Sequence, residues 1–180
     1  MKGMSKVYYF YPYPLPYFTN IPHYPYERPF YYGSLMNEQL QKKEDFRVKD
    51  YGPQPFVINI NKATRNNNTY RTAIWTGEHM QVTLMSIHVG DDIGLEIHPD
   101  TDQFLRIEQG QGIVRMGKSS NNLNFERRVY DDTAIMVPAG TWHNVINTGN
   151  IPLKLYTIYA PPHHPHGTVE TTKAEAMLEE

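Results

Sequence analysis

Four side chains of this sequence have the types and spacing to gather around a metal ion. Glu96 and His98 are two apart, so on an extended chain they project from one face while Leu95 and Ile97 project from the other. Pro99-Asp100-Thr101-Asp102 then reads as a turn, and the strand that follows starts at Gln103. If the two strands pair antiparallel, Gln103 returns beside His98. Alternation puts Gln103, Leu105 and Ile107 on one face and Phe104, Arg106 and Glu108 on the other. Further on, Pro138 and Gly140 make a tight turn, and the next strand carries His143, Val145 and Asn147 on one face. A closed sheet would bring His143 opposite the first hairpin. Two imidazoles, a carboxylate and an amide oxygen would then converge, a donor set that suits Fe, Mn, Zn, Ni or Co. Glu96, His98 and His143 by themselves form a two-His-one-carboxylate set of the kind that leaves coordination positions open.

The elements that must position these residues are strands. Ala73–Trp75, Met80–Val89, Ile93–His98, Gln103–Glu108, Ile113–Met116, Phe125–Tyr130, Ala134–Val137, Trp142–Asn147 and Leu153–Tyr159 are short runs rich in β-branched and aromatic residues. Gly, Pro, Asn or Asp separates most of them. Strands this short and closely spaced make a sandwich or barrel, not alternating βαβ units. Upstream, Phe56–Ile60 reads as a strand and Asn66–Asn68 as a loop, while Ser34 to Lys43 and Thr171 to Glu180 read as short helices.

The first 33 residues are different in kind. Nine of the chain's 14 tyrosines fall there, interleaved with Pro12, Pro14, Pro16, Pro22, Pro25 and Pro29. Proline at that density forbids a helix and favours extended polyproline geometry. Two readings stand: a flexible tail, or an arm that lays Tyr rings on its own domain or on a partner subunit.

With 180 residues the chain suits one domain with extensions, divided as 1–33 extension, 34–69 lead-in, 70–162 barrel and 163–180 C-terminal loop and helix. No cysteine is present, which excludes disulfides, thiolate metal sites and a catalytic thiol. A formal net charge of −2 gives no electrostatic reason to expect nucleic acid or an anionic membrane as partner. No apolar run approaches the roughly 20 residues that span a bilayer. Tyr and Pro follow Lys2 and Lys6 where a signal peptide needs an apolar stretch, so a cytoplasmic location is expected.

Gly90-x5-Glu96-x-His98-x4-Gln103-x6-Gly110 resembles the first cupin motif, Gly-x5-His-x-His-x3–4-Glu-x6-Gly. Asp132-x5-Pro138-x-Gly140-x2-His143-x3-Asn147 resembles the second, Gly-x5-Pro-x-Gly-x2-His-x3-Asn. The resemblance covers about Tyr70 to Pro162. It implies an all-β fold, a small antiparallel jelly-roll barrel, here with a Tyr/Pro-rich extension and short peripheral helices. Within cupins the body most resembles the small bacterial Bh2720-like group, of unassigned activity, and the family resemblance implies a homodimer. Cupins that bind metal usually offer three His and one Glu. Here Glu96 stands for the first His and Gln103 for the Glu, so the carboxylate has changed position and the formal ligand charge stays at −1. Asp132 replaces the opening Gly of the second motif.

Two functions follow as expectations. One is a metalloenzyme for a small oxygenated molecule, with isomerase, epimerase or dioxygenase chemistry, in which Glu96 either holds the metal or serves as a catalytic base. The other is a non-catalytic binding or structural barrel whose Tyr-rich arm mediates assembly. His88 reads as a half-buried structural residue, and the cluster His163, His164 and His166 as a surface loop with a weaker claim to be a second metal site. Asp91 and Asp92 read as a solvated turn. Trp142 reads as packing, and Arg106 and Arg115 as outward-facing, which gives a phosphorylated substrate little to hold.

Overall fold

A computed structural model of the protein describes residues 49–179. The expected Ser34–Lys43 helix and the Tyr/Pro-rich stretch lie outside the described residues.

The strands are β1 (Arg71–Thr76), β2 (Gln81–Ile87), β3 (Asp102–Gln109), β4 (Gln111–Gly117), β5 (Phe125–Tyr130), β6 (Ala134–Val137), β7 (Trp142–Asn147), β8 (Leu153–Ala160) and β9 (Val169–Glu170). They form a six-stranded sheet in the order β6-β3-β8-β2-β1-β9 and a three-stranded sheet, β5-β4-β7. Every pairing is antiparallel. This is the jelly-roll arrangement that the cupin resemblance implied, and it meets the sandwich or barrel expected from the strand spacing.

Alternation decides what lies inside. Gln103, Leu105 and Ile107 of β3 are buried, as are His143, Val145 and Asn147 of β7, while their neighbours Phe104, Arg106, Asn144 and Ile146 are only half-buried. One end of the interior is apolar, built by Met85, Ile87, Leu105, Ile107, Val114, Val145 and Leu155. Burying a side chain of this size is worth about 1.5–3 kcal/mol, so this layer fixes the registers. The other end is polar. Register places Gln103 opposite Tyr159, Tyr159 opposite Gln81, and Thr83 opposite Thr157.

Three local expectations are corrected. Residues 56–59 pair with nothing as a strand, and a helix follows them, α1 (Ile60–Asn66). Asn59 caps α1 by accepting a hydrogen bond from the Lys62 N–H at 2.9 Å, and the helix runs on through Asn66, so part of the Asn-rich segment is helical and not loop. The helix buries Ala63 against Ile74 and Leu84, on the outer face of the larger sheet. Ile93–His98 is not a regular strand. Gly94 turns the backbone at φ +87°, and only Asp92 and Glu96 make isolated bridges, to Ile146 and His143. This segment therefore pairs with β7, whereas β3 pairs with β6 and β8; Glu96–His98 and β3 do not form a hairpin.

The C-terminal helix is α2 (Lys173–Glu179). Thr172 and Glu175 cap it reciprocally: the Glu175 N–H donates to Thr172 Oγ1, and the Thr171 and Thr172 N–H groups donate to the Glu175 carboxylate. Ala176 is buried, and Lys173 pairs with Asp91 at 2.8 Å and Asp92 at 2.6 Å. No described helix is long and apolar enough to cross a membrane.

Candidate metal centre

The site is set by backbone pairing. The Glu96 N–H donates to the His143 carbonyl and the His143 N–H to the Glu96 carbonyl, each at 3.0 Å. The two side chains therefore start from opposed positions across one bridge. A second pair of bonds locks the two motifs together. The Gly140 N–H donates to the His98 carbonyl at 2.8 Å, and the Ala139 N–H to Asp102 Oδ1 at 2.8 Å. Gly140 sits at φ +72°, where a residue with a Cβ is strained, so the glycine is what lets the turn present its N–H to His98.

Glu96, His98 and His143 converge, with one ligand atom from each lying within 4.8 Å of the others. Glu96 Oε1 is 3.4 Å from His143 Nε2 and 3.8 Å from His98 Nε2. The His143 Nδ1–H donates to the Thr141 carbonyl at 2.9 Å, which leaves Nε2 as the lone-pair nitrogen facing the carboxylate. Neither His143 Nε2 nor either nitrogen of His98 has a hydrogen-bond partner, although both rings are buried. Buried imidazoles without partners are costly unless something else uses their lone pairs. Two ring nitrogens and a carboxylate oxygen at this spacing fit a divalent transition metal.

Burial opposes the charge of Glu96. The imidazoles of His143 and His98 close beside it, with the Arg71 guanidinium, outweigh it and hold the carboxyl below its ordinary range. A carboxylate kept ionised in this way is a ready ligand and a weak base.

Gln103, the expected fourth member, is buried, and both atoms of its carboxamide lack a partner. It lies beside the Tyr159 hydroxyl, whose ring meets His98 edge-on with centroids 5.6 Å apart. Burial pushes the Tyr159 phenol well above its usual range, so it stays protonated.

Several site residues had no signal in the sequence. Arg71 is an arginine inside the barrel, 1% exposed; it pairs with Glu170 at 2.7 Å and reaches within 3.9 Å of Glu96. Nothing local marks Arg71 or Glu170, since β9 is only two residues long and meets β1 from far along the chain. His163 and His164 lie on a loop, with His163 exposed, but that loop is not separate from the site. His163 lies on His98 with ring centroids 4.1 Å apart, and His164 meets Tyr159 at 5.0 Å. His166 turns away, toward Asp50 and the Gly52 carbonyl. The backbone of His164 is clamped by the buried Gln81, which accepts from its N–H and donates to its carbonyl, both at 2.9 Å. Burial pushes the His164 imidazole down to about 3, so it is neutral.

A cavity of about 460 Å³ reaches Glu96 and His98; its walls include Trp142, His163, His164 and Ala176. Trp142 is thus a wall residue beside the site as well as a packing residue. His88 is exposed, because β2 ends at Ile87, which corrects its reading as half-buried. Asp91 and Asp92 follow a turn at Val89–Gly90 but are half-buried and paired with Lys173, and Asp92 bridges to Ile146, which corrects their reading as a solvated turn. Arg106 pairs with Glu108 and Asp132, and Arg115 with Glu126; both arginines face outward, although Glu108 is itself buried. Asn147 is structural: its amide donates to the carbonyls of Ile87 and Ile151.

Comparison with known proteins agrees with this architecture. The cupin domain family matches residues 83–159. The uncharacterized protein YrkC of Bacillus subtilis is 74% identical over 133 residues, covering 74% of this chain and 72% of that protein. The uncharacterized protein L612 of Acanthamoeba polyphaga mimivirus is 42% identical over 124 residues, covering 68% of this chain and 76% of that protein. Among solved structures, BH2720 from Bacillus halodurans is 66% identical with a TM-score of 0.72, covering 73% of this chain and 99% of that one. The chain belongs to the cupin family, in the group that BH2720 represents.

Proposed function

We propose that the barrel holds one divalent transition metal through Glu96, His98 and His143, with the Gln103 oxygen as a weaker fourth donor, and that the loaded site acts on a small oxygenated molecule. The observation that carries this reading is the pair of buried imidazole nitrogens, without hydrogen-bond partners, that face one Glu96 oxygen at 3.4 and 3.8 Å. When bound, such a metal supplies a Lewis acid with positions left for oxygen ligands. Glu96 is assigned to holding the metal, because its environment makes it a poor proton acceptor. Trp142, His163 and His164 border the space in which a ligand would lie. A phosphorylated substrate is disfavoured. The arginine inside the barrel is committed to Glu170 and Glu96, and Arg106 and Arg115 face outward.

The test is elemental analysis of the untagged full chain. About one equivalent of a transition metal is expected, lost in the His98→Ala/His143→Ala double variant. A wild-type protein that carries no metal, and takes up none at micromolar concentration, ends the proposal.

A further inference from the structure

The triad is closed in. His143 is 0% exposed and His98 3%, and the Glu96 side chain is 9% exposed. An ion reaches them when part of the surrounding wall moves, and local opening takes the least fastened part first.

Most of the wall is continuous ladder. β2 pairs with β8 from Gln81–Tyr159 to Ile87–Leu153, and β3 pairs with β8 from Asp102 to Gln109. The C-terminal wall is fastened differently. β9 is two residues long and pairs with Arg71 and Thr72 of β1. Of the side chains described in α2, Ala176 is buried, while Met177 and Leu178 are 46% and 87% exposed. Lys173 ties the helix to Asp91 at 2.8 Å and to Asp92 at 2.6 Å, an ion pair partly open to solvent and so to screening.

That pair grips the segment that carries Glu96. Residues 92–96 are bridged to β7 at Asp92 and Glu96. Met177 packs on Gly94, where an added Cβ would come within 2.8 Å of Met177 Cε. Ala176 and Glu170 line the same cavity as Glu96 and His98. A short helix held by Ala176 and a partly exposed ion pair belongs to the low end of local stability, well below the ladders.

We infer that α2 is the gate of the metal site: it lifts off Gly94 and the two aspartates to let the ion pass, and the Lys173 ion pair sets how often it opens. This rests on the metal reading above and adds the route of entry.

The experiment loads the full chain with Co²⁺, adds EDTA at a saturating concentration and follows the loss of the Co²⁺ visible absorption. Lys173→Met keeps the aliphatic stem and removes the charge. It should release Co²⁺ about threefold faster or more, the usual worth of a partly exposed pair, and load it faster by a similar factor, so that affinity changes by less than about twofold. Added NaCl should speed release from the wild type but not from Lys173→Met, where the pair it screens is gone. Lys173→Arg, which keeps the charge, should release as the wild type does. The same opening is read without metal by amide exchange at Ala176, whose N–H bonds the Thr172 carbonyl; Lys173→Met should speed it by the same factor as the release. The inference is overturned, with the metal site standing, if Lys173→Met releases Co²⁺ at the wild-type rate, above all if Ala176 exchanges faster and release does not. Faster release with an unchanged loading rate overturns it too, since a gate moves both. A protein that takes up no Co²⁺ overturns the metal reading, and this inference with it.

Discussion

Replacing Arg71 with Met tests the electrostatics of the interior. The methionine keeps most of the volume and removes the charge. Arg71 is 1% exposed and bonds Glu170 at 2.7 Å, with Glu96 at 3.9 Å. Burial disfavours the guanidinium, and the charges packed around it, Glu96 and Glu170 among them, more than restore it. Without it, two buried carboxylates lose their cation. Breaking a buried pair by removing one partner costs about 3–5 kcal/mol. For a folded body of this size that is roughly a 10–20 °C fall in melting temperature. The assay is thermal and urea unfolding of the full chain, wild type against Arg71→Met, Glu170→Gln and the double variant. The double variant should recover about 1–3 kcal/mol of the loss, because it removes a buried carboxylate that has lost the guanidinium. The pH dependence has a definite sign. Removing the guanidinium takes away one of the influences that hold the Glu96 carboxyl low, so Glu96 titrates higher in the variant than in the wild type and takes up its proton earlier as pH falls. The deficit of Arg71→Met should therefore narrow on acidification. Added metal should narrow it as well, by compensating Glu96. A loss below about 1 kcal/mol, or a double variant no more stable than Arg71→Met, would refute the reasoning.

Other consequences are simpler to read. Gly140→Ala meets no atom within 4 Å of its new Cβ, so its cost is backbone strain at φ +72°, about 1–2 kcal/mol in urea unfolding. Gln81→Ala strips three hydrogen bonds from a fully buried site and should cost about 2–3 kcal/mol, with faster amide exchange at His164. Glu96 titrates below its reference value of 4.5, so the stability it contributes is present above that pH and lost as pH falls toward its folded value; in metal-free protein, the unfolding curves of wild type and Glu96→Gln should converge on acidification. Asp132 alone among the described non-glycine residues has a positive φ, 66°, and its ion pair with Arg106 is exposed. Asp132→Gly should change stability by less than about 0.5 kcal/mol, since relief of strain offsets the lost pair, whereas Asp132→Val should cost about 1–2 kcal/mol.

The barrel was legible because its determinants are local. Period-two patterning marks which side of β3 and β7 is buried, and glycines mark three turns that need positive φ, at Gly90, Gly110 and Gly140. The triad was legible as residue types, but the reasoning that assembled it was partly mistaken. Glu96 and His98 approach His143 because the 92–96 segment bridges to β7, while the hairpin expected to bring Gln103 beside His98 does not form. Arg71, Glu170, Tyr159 and His164 could not be read as site residues, because each arrives by a contact between segments far apart in the chain. Gln81 and His164 are 83 residues apart, and Arg71 and Glu170 are 99 apart. The α1 helix was missed because an Asn-rich run reads as loop; the Asn59 side chain on the Lys62 N–H was the signal available.

The central claim is that one cation is shared by three side chains. It is tested most directly by anomalous diffraction at a transition-metal edge, on crystals of the full chain grown with that metal. The account requires a peak bonded to Nε2 of His98, Nε2 of His143 and a Glu96 oxygen, at about 2.0–2.2 Å from each. Crystals whose metal lies elsewhere, at His163 or His166 for example, with the triad making no bond to it, would contradict the account.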